Sequence, residues 1–427
     1  MLEQLKYLNV KMVAFADDLT ADGTFNSLRL WWDDLMQIGP KFGYHPQPKK
    51  SWLIVKDARI ADAKTSFNGT NVQLTTDGER HLGSVIGSAK FRKSYCASIV
   101  EEWVKEIEIL AEVAVTEPQA VYTCYISGYQ HKFTYFLRTI PHFEQHLTSL
   151  EQVIRHRLLP AILGGHTVTD QERNLLALPP RLGGIGIKIP HECAEFEYQS
   201  SRKVTESLVQ KIIDGKTDDN DNTQTKQQIK TERNKRYEET LEHLRGEMNY
   251  HQKRQNEANR ETGSYNWLTT LPIKELGYNF KKEEFWDAVR IRYNWDLPRL
   301  PSECACGNKF DLSHAISCKK GGFISIRHNE IRDITALLLK EVCHDVKKEP
   351  MLMAVNNENL REPTAIRGNE ARLDVSASGF WVKGQRVFCD VRVFDPNAQR
   401  YRNTELSRCY QKNEEEKKRI QRANTSG

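Results

Sequence analysis

The alternation of apolar and polar positions divides the 427-residue chain into two patterned stretches separated by a polar one. Residues 11–23 (KMVAFADDLTADG) run apolar, then acidic, then mixed, the pattern of a β-hairpin turned around Asp17 and Asp18. Leu28, Trp31, Trp32 and Leu35 recur at helical spacing and predict an amphipathic helix over Asn26–Gln37. SWLIV (51–55) predicts a strand, and long helical patterns fill Tyr95–Ile140. From Lys216 to Thr262 large aliphatics become scarce and charged, Gln and Asn residues dominate. That stretch reads as a solvated linker with a helical piece around Glu238–Met248. Order returns at Trp267. A helix is predicted over His328–Val342 with Ile331, Ile334, Leu337, Leu338 and Val342 on its inner face. Strands follow at 372–378 and 386–394, and an exposed helix over Thr404–Arg422.

Composition narrows the class. Hydrophobic residues make up 39% and charged residues 28%, with mean hydropathy −0.64, polar for a folded protein but too rich in aliphatics to be disordered throughout. No run of about 18 apolar residues exists to span a membrane. Lys6 and Lys11 interrupt the first 15 residues, which make a poor secretory signal. The net charge of +5 permits a nucleic-acid partner without requiring one. Nine widely spaced cysteines, an odd number, point to a reducing, intracellular setting rather than a disulfide framework.

Three clusters carry chemistry. Asp17 and Asp18 are costly neighbours unless a divalent cation such as Mg²⁺ screens them, although an ordinary acidic turn would look the same. Cys304, Cys306, His314 and Cys318 (C-x-C-x7-H-x3-C) offer three thiolates and an imidazole, a filled donor set for structural Zn²⁺. The other reading is free thiols in a Gly/Lys turn. Asp374 and Asp390 each adjoin an apolar strand segment and could meet across a hairpin turned at Lys383-Gly384, to hold Mg²⁺ with a nearby cation. Two unrelated strand-end residues are the alternative. His45, His131, His142 and His166 have no partner at metal-ligand spacing and are expected to be ordinary surface or core histidines.

In order along the chain, these motifs resemble non-LTR retrotransposon polymerases. FADD (15–18) resembles the reverse-transcriptase palm hairpin. GYHPQPKKS (43–51) is similar to the next palm motif, HLGSVIG (81–87) to the hairpin gripping the primer end, and LPPRLGGIGI (178–187) to a segment after the thumb. The resemblance implies that Asp17 holds Mg²⁺ beside Asp18 and that Lys50 lies near the incoming triphosphate. It also implies a CCHC zinc knuckle followed by a restriction-like PD-(D/E)xK endonuclease introduced by Arg327-His328-Asn329. In that nuclease Asp374 and Asp390 bind Mg²⁺. Leu373 replaces the usual Pro, Arg392 replaces the usual Lys, and Lys412 is the candidate for a Lys moved to the following helix. Arginine can hold phosphate but does not act as a base.

The expected architecture is multidomain α+β. It comprises a partial palm (1–94), a thumb-like helical region (95–214), a charged linker (215–265), a knuckle segment (266–322) and a nuclease core (323–427). The family places another palm aspartate upstream, and Glu3 is the one carboxylate before Asp17, so the polymerase half is expected to be incomplete and inactive alone. The nuclease is expected to end short of its last strand. The implied partners are an RNA template and target DNA, with no membrane, and the implied location is the nucleus. The alternatives are a non-catalytic nucleic-acid-binding remnant, through the knuckle, the thumb and Lys417, Lys418 and Arg419, or the unstable product of a decayed copy.

Overall fold

The computed structural model describes residues 1–5, 7, 9–214, 221–320, 322–350, 373–401 and 403–425, with the backbone alone for 399 and 417–425. Arg372 and the side chains of Lys417, Lys418 and Arg419 therefore lie outside the described residues. Small sheets and many helices give a mixed α+β chain of two units. The first comprises 1–246 with 265–286, and the second 247–264 with 287–427.

In the first unit β1 (Val10–Phe15) and β2 (Asp18–Gly23) pair antiparallel with Phe15 opposite Asp18. The turn is thus Ala16-Asp17, one residue earlier than the acidic pair suggested. Ala16 takes a φ of 53°, a left-handed value at the first turn position that normally favours glycine. Helix Phe25–Ile38, capped by the Thr24 hydroxyl, buries Leu28, Trp31, Trp32 and Leu35 with Leu5 and Phe67. Val10, Met12, Leu19 and Ala21 of the hairpin pack on that cluster, so the predicted amphipathic stripe is what seats the hairpin. β3 (Trp52–Ile54) runs parallel to β4 (Gln73–Thr75), and β5 (Gly78–His81) forms a hairpin with β6 (Ser84–Gly87). Gly78 and Gly87 face each other there. A Cβ on Gly87 would lie 2.4 Å from the Asp77 carbonyl oxygen, so the two strand backbones approach only as glycines.

The helical region is organised around Trp103, 1% exposed on helix Ala89–Ala114. The rings of Phe133, Phe136 and Phe143 lie 4.8, 5.1 and 5.8 Å from it. Arg173, on helix Asp170–Ala177, is buried. Its Nε donates to Glu151 Oε1 at 2.7 Å, Nη2 to Glu151 Oε2 at 2.8 Å, and Nη1 to the Ile187 carbonyl at 2.8 Å. That fork clamps the PPRLGGIGI turn to the helices, and Tyr122 adds a 2.9 Å hydrogen bond to the Ile185 carbonyl.

The stretch read as a solvated linker is largely helical. Helix Thr223–Glu247 buries Ile229, Leu241 and Leu244, and Tyr250–Arg260 forms another helix. Arg233 binds the buried carboxylate of Glu197 at 3.0 Å, and Arg233 and Arg236 both stack over the Phe196 ring. Long Arg, Lys, Glu and Gln side chains are good helix formers, and a few aliphatics plus cation–π contacts suffice to dock such a helix.

In the second unit β7 (His344–Lys348), β8 (Val375–Ser378) and β9 (Arg386–Cys389) form an antiparallel sheet in that order. Helix Phe323–Val342 packs on it through Ala336 and Leu339, with Cys343 just beyond, against Val375 and Ala377. This differs from the predicted inner face. Ile331, Ile334, Leu337, Leu338 and Val342 are 40–71% exposed. The docked side follows 328, 332, 336, 339 and 343, where small Ala336 lets helix and sheet approach, His328 meets Asp374 just before β8 and Arg332 meets Glu349 just after β7. Helix Leu406–Thr425 closes the described chain, matching the expected final helix.

Candidate metal centre

Residues 303–318 fold as a compact knuckle. Glu303 bridges to Lys309, the Gly307 N–H donates to the Cys304 carbonyl at 2.8 Å, and Cys304 N–H to the Asn308 carbonyl at 2.9 Å. Gly307 takes a φ of 84°, a value suited to glycine. This turn puts Cys304 and Cys306 side by side. The Asp311 carboxylate then caps helix Leu312–Ser317 by accepting from His314 N–H at 2.7 Å, and Cys318 follows that helix. One ligand atom from each of Cys304, Cys306, His314 and Cys318 lies within 4.8 Å of the others. The Cys304 and Cys318 sulfurs are 3.7 Å apart, and Cys306 Sγ lies 3.2 Å from His314 Nε2. Sulfurs bound at about 2.3 Å around a tetrahedral zinc would be about 3.8 Å apart. The four donors therefore fit a four-coordinate metal ion, compatible with structural zinc.

The knuckle is tied to the rest of its unit. Arg327 donates to the Ile316 carbonyl at 2.9 Å and to the Val393 carbonyl at 3.3 Å, and Ser313 Oγ donates to Asp395 at 2.9 Å. Arg327 stands one residue before His328, whose Nε2 lies 2.8 Å from Asp374 Oδ1. Asp374 Oδ2 accepts the Val391 N–H at 2.5 Å. Beside them Arg332 pairs with Asp333 at 2.9 Å and with Glu349. His328 was visible in the sequence as part of the Arg327-His328-Asn329 box, but not its tie to Asp374, and Arg332 carried no motif. Their spacing from Ala336 on one helix face was the available signal.

Val375 pairs with Cys389 at the end of the β8–β9 ladder, so continuing the register by one residue on each strand would set Asp374 opposite Asp390. Asp374 turns inward, with its side chain 13% exposed, while Asp390 is exposed. Arg392 does not join them. Its guanidinium donates to the Asn413 carbonyl at 3.1 Å and pairs with Glu416 at 2.5 Å, because helix Leu406–Thr425 offers the nearer acceptors. Lys412 is exposed in an open groove of about 410 Å³ with Arg400, Tyr401, Glu415 and Glu416, and neither aspartate lines it. Asp17 and Asp18 are both exposed, and Lys50 is exposed in the short turn Pro48–Lys50. Burial, then the negative fields of Asp18 and Asp17, push the Tyr44 phenol above its ordinary range. The Thr20 hydroxyl lies 3.3 Å from His81 Nε2, joining the acidic hairpin to the β5–β6 hairpin. Among the described residues the Cys/His group is the one set of three or more His, Cys, Asp or Glu donors gathered closely enough for an ion.

The thiols divide sharply. Burial pushes Cys96 and Cys193 up to about 11. The Asn308 backbone N–H, with the neighbouring thiols and the Asn308 amide, pulls Cys306 down to about 6. Of the three, Cys306 is thus the most readily ionised, and the thiolate is the reactive form. Iodoacetamide mass mapping of metal-stripped protein, in which the cluster is open to solvent, should therefore modify Cys306 and spare Cys96 and Cys193. Equal rates at all three would contradict the burial of Cys96 and Cys193.

No helix among the described residues is long and apolar enough to cross a membrane. Fold and site together define a mixed α+β chain of two units with a Cys3His cluster that could hold a metal ion. Compared with models of known protein families and with curated proteins, the chain matches none.

Proposed function

We propose that this chain is part of a non-LTR retrotransposon polymerase–endonuclease and that it acts on RNA and DNA by binding them around a zinc-filled knuckle. The observation that carries this is the Cys304–Cys306–His314–Cys318 cluster with exposed Lys319 and Lys320 beside it, a rigid turn presenting cations to phosphate. The contact between the acidic hairpin and the β5–β6 hairpin supports the palm reading. Cys304, Cys306, His314 and Cys318 would hold zinc, which would keep the knuckle closed and, with all four positions filled by the chain, would leave no place for substrate chemistry. A gel shift with labelled RNA and duplex DNA should show affinity that falls steeply with salt, and Lys319→Ala/Lys320→Ala should flatten the slope by about two charges. Binding insensitive to salt would overturn the reading.

The second reading is DNA cleavage at Asp374 and Asp390, favoured by their opposed register. As arranged, the pair does not fit Mg²⁺, since both Asp374 oxygens already hold His328 and the Val391 N–H, and no step is derived through a metal there. Incubating supercoiled plasmid with the protein in Mg²⁺ or Mn²⁺ separates the two. Nicking that Asp374→Ala abolishes would replace binding by cleavage, whereas the leading reading expects intact plasmid.

A further inference from the structure

We propose that the tip of the β8–β9 hairpin is a stacking platform for unpaired bases, with Trp381 and Phe380 as its rings and Lys383 as its phosphate contact. This deepens the nucleic-acid reading above and rests on it. The residues between β8 and β9 (GFWVKGQ, 379–385) form a stapled turn. Gly379 N–H donates to the Gln385 carbonyl at 2.8 Å, Gln385 N–H to the Val382 carbonyl at 3.1 Å, and Gly384 takes a φ of 84°. On this fixed loop Phe380, Trp381 and Val382 are 45%, 72% and 62% exposed. The Phe380 and Trp381 rings meet edge to face at 4.6 Å, so each limits the other's rotation and one indole face stays presented. Three consecutive large apolar side chains on a hairpin tip contribute nothing to the sheet's own core, which consists of Val346, Val375, Ala377, Val387 and Cys389 on the helix-covered side.

Charge selects the occupant. Lys383 sits in the turn and makes no ion pair among the described residues. At the foot of the hairpin Arg386 and Lys347 share the single carboxylate of Asp345, leaving net positive charge around the aromatics. A convex, cationic, aromatic tip matches a partner that is both polyanionic and rich in open π-faces. Single-stranded nucleic acid is such a partner, because every unpaired base offers a face and every nucleotide a phosphate. A duplex hides its base faces within the stack, and a folded protein partner would need an acidic pocket instead. The tip stands at the opposite end of β8 from Asp374, so it adds a contact separate from the knuckle and from the carboxylates.

Fluorescence anisotropy with labelled oligodeoxythymidylate, and with a duplex of equal length, tests this on the full chain. Trp381→Ala should weaken single-strand binding about tenfold or more, Trp381→Phe should restore most of it, and duplex binding should hold within about twofold. The substitutions lie on exposed residues, and circular dichroism melts should be unchanged. Equal single-strand affinity of wild type and Trp381→Ala would overturn the platform while leaving the nucleic-acid reading in place. Failure of the wild-type chain to bind either oligonucleotide would overturn that reading and the platform with it. Partitioning onto anionic phosphatidylserine vesicles that depends on Trp381, without single-strand binding, would assign the tip to a lipid surface and likewise overturn the proposal.

Discussion

Replacing Cys318 by Ser should strip the protein of one zinc per chain and unfold residues 303–318. The four donors stand at tetrahedral spacing, and structural zinc sites of this kind contribute about 10–16 kcal/mol of apparent binding free energy, much of it folding free energy. Without the ion the two remaining thiols, the serine hydroxyl and an imidazole crowd one spot with little hydrophobic burial to hold them. The loss should spread, because Arg327 and Ser313 fasten the knuckle to the Val393–Asp395 segment. Metal analysis should read near one zinc for wild type and near zero for Cys318→Ser. The second unit should melt earlier by calorimetry and RNA affinity should fall with it. Cys124→Ser, at an exposed thiol apart from the cluster, should keep its zinc. Full zinc content in Cys318→Ser would show that the cluster is not the metal site.

Arg173→Met should destabilise the first unit by about 3–5 kcal/mol, the cost of leaving a buried carboxylate without its partner. Arg173 is 3% exposed and Glu151 13%, and the guanidinium also holds two backbone carbonyls in the turn after the glycines. Removing it orphans an anion and two acceptors together. For a unit of this size that corresponds to a fall in Tm of about 6–20 °C, measurable by differential scanning calorimetry. The double change Arg173→Met/Glu151→Leu should recover part of the loss, since no unpaired charge then remains. A single-variant loss below about 1 kcal/mol would mean that solvent reaches the pair.

Local patterns were the legible part of this protein. The stripe of Leu28, Trp31, Trp32 and Leu35 announced its helix because all four face one core, and the acidic hairpin was visible because a strand, a tight turn and a strand are set by neighbours in sequence. The knuckle was legible for the same reason, its four donors falling within fifteen residues. The charged stretch misled because it docks by cations stacked on Phe196 and paired with Glu197, partners far away in sequence. The helix 323–342 misled in the other direction, since hydropathy marked Ile334 and Leu338 while the sheet accepted Ala336 and Leu339.

By itself, then, the sequence determined the short-range features: the hairpin, the amphipathic helix of the first unit, the metal-ligand spacing and the β8–β9 hairpin turned at Lys383-Gly384. Each depends on groups a few residues or one hairpin apart, where chain geometry leaves little choice. Tertiary structure alone decided that Arg392 goes to Glu416 and that His328 and the Val391 N–H take Asp374. A charged side chain settles with whichever opposite charge or backbone dipole folding brings nearest, and that neighbour is chosen by the packing of distant elements.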